Sequence, residues 1–197
     1  MTTKPTHPIL MEFPDRFETE RLLVRLPLPG DGKEVYQSIL ESLEELKPWM
    51  PFAHLDQTEA DVELNIREAH VKFLQRSDLR LLAFHKDTGE LVVSTGLHRL
   101  DWEGRLFEIG YWARTKYAGQ GLVTEAVRGL EEFAISHLQA NRLMIRCDER
   151  NVRSAAVAER LGYTLEGILR NESLDIVDGK TLTNTKVYAK VRGHEFA

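Results

Sequence analysis

The sequence predicts a mixed α/β (α+β) fold, a largely antiparallel central sheet of about seven strands flanked by about four helices. Three observations carry that expectation. Several segments alternate apolar and polar residues with the period of a strand. Others carry apolar stripes at helical spacing. Their order, βαα, βββ, α, β, α, ββ, is not the regular alternation of a parallel α/β sheet.

In Glu20-Arg21-Leu22-Leu23-Val24-Arg25-Leu26, Leu22, Val24 and Leu26 share one side, the pattern of a half-buried strand that Pro27, Pro29 and Gly30 then break. Val35, Ile39, Leu43 and Leu46 follow at helical spacing and end before Pro48. Thr58 reads as an N-cap, with Asp61 in the first turn of a helix striped by Val62, Ile66, Ala69 and Phe73. Three strands are expected over 79–85, 91–100 and 106–113, joined by Asp87-Thr88-Gly89 and by Asp101-Trp102-Glu103-Gly104. Connections this short favour antiparallel pairing. After Gly121 a helix runs through Val123, Ala126, Leu130, Phe133 and Ala134. Leu143, Ile145 and Cys147 alternate in the next strand, and a shorter helix over about 151–161 stops at Gly162, a natural C-cap residue. Strands over 163–169 and 183–191 complete the order.

At 197 residues the chain has the length of one domain, and no repeat or linker divides it. The expected boundaries are a loose lead-in over 1–18, a single domain over 19–192 and a short tail over 193–197. No apolar run reaches the roughly 20 residues of a membrane-spanning helix, and the start lacks the pattern of a secretory signal. Cys147 stands alone, so no internal disulfide is possible; together these features point to the cytoplasm. A net charge of -5 argues against sequence-independent binding of nucleic acid. The scattered histidines include no pair at the spacing of a helical zinc site, so no metal is expected.

The most informative stretch is Phe107 to Ala126. A strand leads through Arg114, Lys116 and Tyr117 into Gly119-Gln120-Gly121, and a helix starts at once. Glycines there let the backbone approach a ligand and adopt positive φ, and the first helical turn offers unpaired N–H groups at its positive end. That combination binds phosphate or diphosphate, with Arg114 and Lys116 available as screening charge. No GKS or GKT follows, so it is not a Walker loop. No βαβ unit surrounds it, so it is not a dinucleotide fingerprint either.

Lys116-Tyr117-Ala118-Gly119-Gln120-Gly121 resembles the diphosphate loop of the GNAT superfamily of acetyl-CoA-dependent N-acetyltransferases, Arg/Gln-x-x-Gly-x-Gly/Ala, with Lys116 where Arg or Gln is usual. Four further segments are similar to the branch that acetylates the N-termini of ribosomal proteins. These are residues 17–22 (FETERL), 46–51 (LKPWMP), 108–112 (EIGYW), and 151–154 (NVRS) through 160–163 (RLGY). The resemblance spans residues 17–192. It implies a GNAT-like fold, acetyl-CoA as co-substrate, and transfer of its acetyl group to a primary amine, above all a protein N-terminal α-amine. A small-molecule amine acceptor, or a non-catalytic sensor of acyl-CoA, are the alternatives. Dimers occur in the family, so a homodimer is a further expectation.

The reaction has three tasks: deprotonate the amine, stabilise the oxyanion and protonate the leaving thiolate. For the first, the resemblance offers Glu108, on the strand before the loop, and Glu172, just past the strand ending near Arg170. Glu108 also reads as a structural carboxylate tied to backbone or to Arg114. For the third, the superfamily's usual tyrosine is replaced by Ala158, and the resembling branch implies Ser154, which also reads as a capping residue. Cofactor contacts are implied for Ile109, Tyr111 and Trp112 on the strand, for the loop from Lys116 through Tyr117, Ala118, Gly119, Gln120 and Gly121 to Leu122, and for Asn151, Arg153 and Ser154. Asn151 also reads as an N-cap, and Arg153 as a solvated side chain. The oxyanion donor is expected from a backbone N–H between Ile109 and Trp112, exposed by a β-bulge. Trp49 and Phe52 are candidates for an aromatic acceptor wall, or ordinary core aromatics.

Overall fold

The computed structural model describes residues 7–197; residues 1–6 of the lead-in lie outside it. Among the described residues eight strands form one sheet: β1 (Arg16–Glu18), β2 (Leu22–Arg25), β3 (Leu79–His85), β4 (Leu91–Asp101), β5 (Leu106–Ala113), β6 (Arg142–Asp148), β7 (Thr164–Leu174) and β8 (Leu182–Val191). Their order is β1-β2-β3-β4-β5-β6-β8-β7. Every neighbouring pair is antiparallel except β5 and β6. That one parallel pair requires a crossover, and a long helix supplies it.

Among the described residues five α-helices flank the sheet: α1 (Gly32–Glu41), α2 (Leu43–Leu46), α3 (Glu59–Gln75), α4 (Leu122–Leu138) and α5 (Val152–Arg160). On one face Val35 and Ile39 of α1 and Val62 and Ile66 of α3 close over Leu82, Phe84 and Trp112. On the other, Ala126, Leu130 and Phe133 of α4 and Val157 of α5 pack with Leu97, Ile109 and Tyr188. Thr58 starts α3 with a full capping box, its hydroxyl accepting from Asp61 N–H while the Asp61 carboxylate accepts from Thr58 N–H.

Three elements differ from the sequence expectation. The helix expected through Val35–Leu46 is two, because Ser42 leaves helical geometry (φ -116, ψ 7) and its hydroxyl accepts from the Thr115 N–H at 2.9 Å. Within the lead-in, Arg16–Glu18 add an eighth strand, too short to display an alternation, with Phe17 stacked on Phe133 at 5.3 Å. Strand β7 continues to Leu174, so Glu172 lies on it and not beyond its end. Asn171 takes a left-handed conformation (φ 52) and the register against β8 shifts there, which interrupts the alternation in sequence. The tail folds back on β8, where Glu195 accepts from Thr164 and from the Val191 N–H. Among the described residues no helix is long and apolar enough to cross a membrane.

Candidate active site

The sheet opens where the parallel pair ends. β5 meets β6 only at Leu106–Glu108 against Arg142–Met144, and beyond that point the strands separate around a cleft of ≈ 1730 Å³. The β6-facing peptide groups of Ile109 to Trp112 are thereby left without a strand partner. The expected bulge is absent: β5 pairs with β4 in unbroken register from Glu108 to Ala113. The irregularity falls on β4 instead, between His98 and Asp101, where Arg99 has φ 47.

At one end of the cleft stands the N-terminus of α4. Gly119 and Gly121 have φ of 76 and 77, and no side chain caps the helix. The first N–H to find a helical partner is that of Glu125, on the Gly121 carbonyl. The donors of Leu122, Val123 and Thr124 therefore face the cleft unspent, at the positive end of a 17-residue helix. An acidic residue in that first turn would oppose an anion, but Glu125 is engaged elsewhere. Burial pushes its carboxyl up, yet hydrogen bonds from Thr19 and Arg21 outweigh this and hold it below the ordinary range. Arg21 pairs with Glu125 at 2.6 Å and donates to the Gln120 carbonyl at 3.1 Å, so one guanidinium ties the loop to the helix behind it.

The charges expected to screen phosphates serve the scaffold. Arg114 is buried and fully engaged, by Glu41 at 2.7 Å and Glu34 at 2.8 Å. Lys116 Nζ lies 2.8 Å from both oxygens of Glu90, and the Tyr117 hydroxyl donates to the same carboxylate. Those bonds, from Lys116 first and Tyr117 next, hold Glu90 down at about 2. Tyr117, Ala118, Gly119, Gly121 and Leu122 line the cleft; the side chains of Lys116 and Gln120 do not. Gln120 turns its amide toward the Lys116 carbonyl.

On the opposite wall Asn151 caps α5, its side chain accepting from the Ser154 N–H at 3.0 Å. Asn151, Arg153 and Ser154 all line the cleft, and Arg153 is exposed. Ala158 is fully buried. A different tyrosine fills the gap in hydroxyls: Tyr111 of β5 lies 3.1 Å from Ser154 Oγ and donates to the Ser154 carbonyl at 3.0 Å. Burial pushes the Tyr111 hydroxyl above its ordinary range, so it stays protonated. Only the fold reveals this pair, whose members are 43 residues apart. Ile109 and Trp112 also line the cleft while belonging to the two opposite cores.

Neither candidate carboxylate stands free in the cleft. Glu108 faces a separate small cavity with Arg99, Arg142 and Met144, 3.4 Å from the Arg99 guanidinium and not bonded to Arg114. Glu172 pairs with Arg146, a cleft residue, and hydrogen bonds from Arg146 and then Thr185 hold its carboxyl below the ordinary range. Trp49 lines the cleft beside Met50, whereas Phe52, half-buried, packs on Trp112 at 5.8 Å and does not line it.

A sequence profile of the acetyltransferase (GNAT) domain matches residues 21–164. The chain belongs to the GNAT acetyltransferase family. YdaF of Bacillus subtilis (strain 168), named provisionally as a ribosomal N-acetyltransferase, is 32% identical over 155 residues, covering 77% of this chain and 82% of its own. The ribosomal-protein-serine acetyltransferase of Escherichia coli (strain K12) is 28% identical over 138 residues, 70% of this chain and 76% of its own. Among solved structures, RimL, a ribosomal L7/L12 α-N-protein acetyltransferase crystallised with coenzyme A, superposes with a TM-score of 0.80. It shares 18% identity over 88% of this chain and 95% of its own, a likeness of fold.

The protein is an acetyl-CoA-dependent N-acetyltransferase, and its cleft suits that co-substrate. An uncapped helix end with three orphan donors fits a diphosphate, and parted strands with free peptide groups fit an amide-bearing arm.

Proposed function

We propose that this acetyltransferase acts on the α-amine of a protein N-terminus, such as that of a ribosomal protein. The reading is supported by one observation: the cleft, ≈ 1730 Å³ in volume, extends beyond the parted strands to include Trp49, Met50 and Arg146 in its lining. The names of the curated relatives support it.

Bound acetyl-CoA supplies an electrophilic thioester carbonyl at the end of a long flexible arm. The N–H groups of Leu122, Val123 and Thr124, with the glycine turn before them, hold the diphosphate. Peptide groups of Ile109 to Trp112 bind the arm and donate to the carbonyl oxygen as it gains charge. Ser154 donates to the departing sulfur, its hydroxyl held in place by Tyr111, while Asn151 keeps the first turn of α5 closed. Trp49 flanks the incoming peptide, and Arg146, paired with Glu172, offers charge in the cleft wall. An α-amine with pKa near 7.7–8.0 is about a tenth neutral at pH 7, whereas a lysine near 10.4 is below about a thousandth. A site without a strongly basic carboxylate therefore favours the N-terminus.

Incubation with acetyl-CoA and short peptides beginning with Ser or Ala, followed by tandem mass spectrometry, tests the reading. One acetyl group on the α-nitrogen is expected. Acetylation confined to lysine side chains, or to small amines such as polyamines, would replace it.

A further inference from the structure

Glu18, Glu20, Glu45 and Glu132 line the cleft from exposed positions, while Glu125 and Asp148 in its wall and Glu172 beside it are each committed to an arginine. Just behind the cleft floor stands a histidine that is not. His98 Nδ1 lies 2.6 Å from the Asp78 carboxylate, which fixes Nδ1 as the protonated nitrogen and leaves Nε2 with its lone pair. Among the described residues Nε2 has no hydrogen-bond partner. The ring lies over Gly110: a Cβ at that position would stand 2.9 Å from His98 Cδ2 and 3.1 Å from Nε2. Gly110 itself lines the cleft, beside Trp112 and two residues beyond the last contact of β5 with β6. His98 is 35% exposed at its side chain, so water reaches it.

We propose that His98, oriented by Asp78, is the proton acceptor for the incoming ammonium group, acting through one water at the Gly110 floor. This rests on the reading of the site as an amine acetyltransferase. In the step an N–H bond of the ammonium breaks, an Nε2–H bond forms by way of the water, and the freed lone pair on the amine nitrogen becomes the nucleophile. The imidazolium is stabilised by Asp78, as a carboxylate partner stabilises it in other general bases. The charged groups facing the imidazole are few. Asp78 and Arg80 come from β3 and the turn before it, and Arg80 is spent on Ser94 and Asn65. Glu108 lies directly across the strand pair with Arg99 beside it, and Arg142, paired with Glu166, closes the small cavity beyond. Gly110 is a requirement of the arrangement, since any side chain there would push the ring from the floor.

The test compares parent, His98→Gln and Asp78→Asn enzymes across pH, with saturating acetyl-CoA and short Ser- or Ala-initiated peptides. His98→Gln is expected to lower kcat about 100-fold and to remove the acidic limb of the kcat profile, leaving KM for acetyl-CoA within about twofold. Asp78→Asn is expected to lower kcat about tenfold by releasing the tautomer. A His98→Gln enzyme within threefold of parent kcat, or one whose loss lies in acetyl-CoA KM, overturns the proposal. Nitrogen-15 shifts of the imidazole provide a readout that needs no acceptor. A bare Nε2 at mildly alkaline pH is expected, and a protonated Nε2 in the neutral ring overturns the assignment. A parent enzyme that acetylates no peptide refutes the protein-acceptor reading, while a protonated Nε2 in the neutral ring overturns the role of His98 whatever the acceptor.

Discussion

The Tyr111 hydroxyl, 3.1 Å from Ser154 Oγ and 3.0 Å from the Ser154 carbonyl, ties strand β5 to the first turn of α5 across the cleft. Ala158 brings no hydroxyl to this wall, and under the proposed function this pair serves the departing sulfur in its place. Ser154→Ala is expected to lower kcat by about ten- to a hundredfold with KM for acetyl-CoA little changed. Tyr111→Phe should cause a smaller loss, because Ser154 keeps its hydroxyl and loses only its orientation. Steady-state kinetics check both. Equal and negligible effects would remove the pair from the reaction.

Arg21 acts at a distance from the chemistry. By holding Glu125 and the Gln120 carbonyl it fixes the glycine turn and withdraws the acid from the helix end. Arg21→Ala is expected to raise KM for acetyl-CoA about tenfold, equivalent to about 1.4 kcal/mol of binding, with kcat within about twofold. Lysine should not restore it, since the contacts require a guanidinium fork.

Gly129, in the middle of α4, tests the packing of the β1 segment. A Cβ there would lie 2.7 Å from both Phe17 Cε2 and Thr19 Cγ2. Helix propensity alone would have Gly129→Ala stabilise by about 1 kcal/mol. Overpacking against β1 predicts the opposite sign, a loss of about 1–3 kcal/mol. That corresponds to a fall in Tm of about 2–4 °C per kcal/mol, measured by thermal melting.

Glu90 supplies a pH signature. Its folded value of about 2 lies below the ordinary 4.5, so its stabilising contribution is complete above 4.5 and is lost as pH falls toward 2. The Tm difference between parent and Glu90→Gln should be constant from neutrality to about pH 5 and vanish near pH 2. A difference that grows on acidification would contradict the Lys116–Glu90–Tyr117 arrangement.

The sequence carried the fold where period and punctuation agreed. Strands β3 and β5 begin and end where alternation does, and Thr58 and Gly162 mark helix ends that the structure keeps. It was silent where a single side chain or a short element decided the geometry. Ser42 splits a continuous apolar stripe by accepting a bond from a residue 73 positions away. Asn171 interrupts the alternation of β7, and three residues of β1 are too few to show a period. At the site the glycine turn is legible because backbone conformation demands those residues. The engagement of Lys116 by Glu90, of Glu125 by Arg21 and of Ser154 by Tyr111 is not, because such pairs join distant segments. A positive charge near a phosphate loop therefore reads as a ligand contact until its acidic partner is seen.

Hydrogen exchange at the turn before α4 tests the central claim most directly. If the amides of Leu122, Val123 and Thr124 and the preceding glycine turn grip the diphosphate, adding coenzyme A should slow their exchange strongly while the amides of α3 remain as they were. Unchanged exchange at residues 119–124 in the presence of saturating coenzyme A, with protection elsewhere, would contradict it.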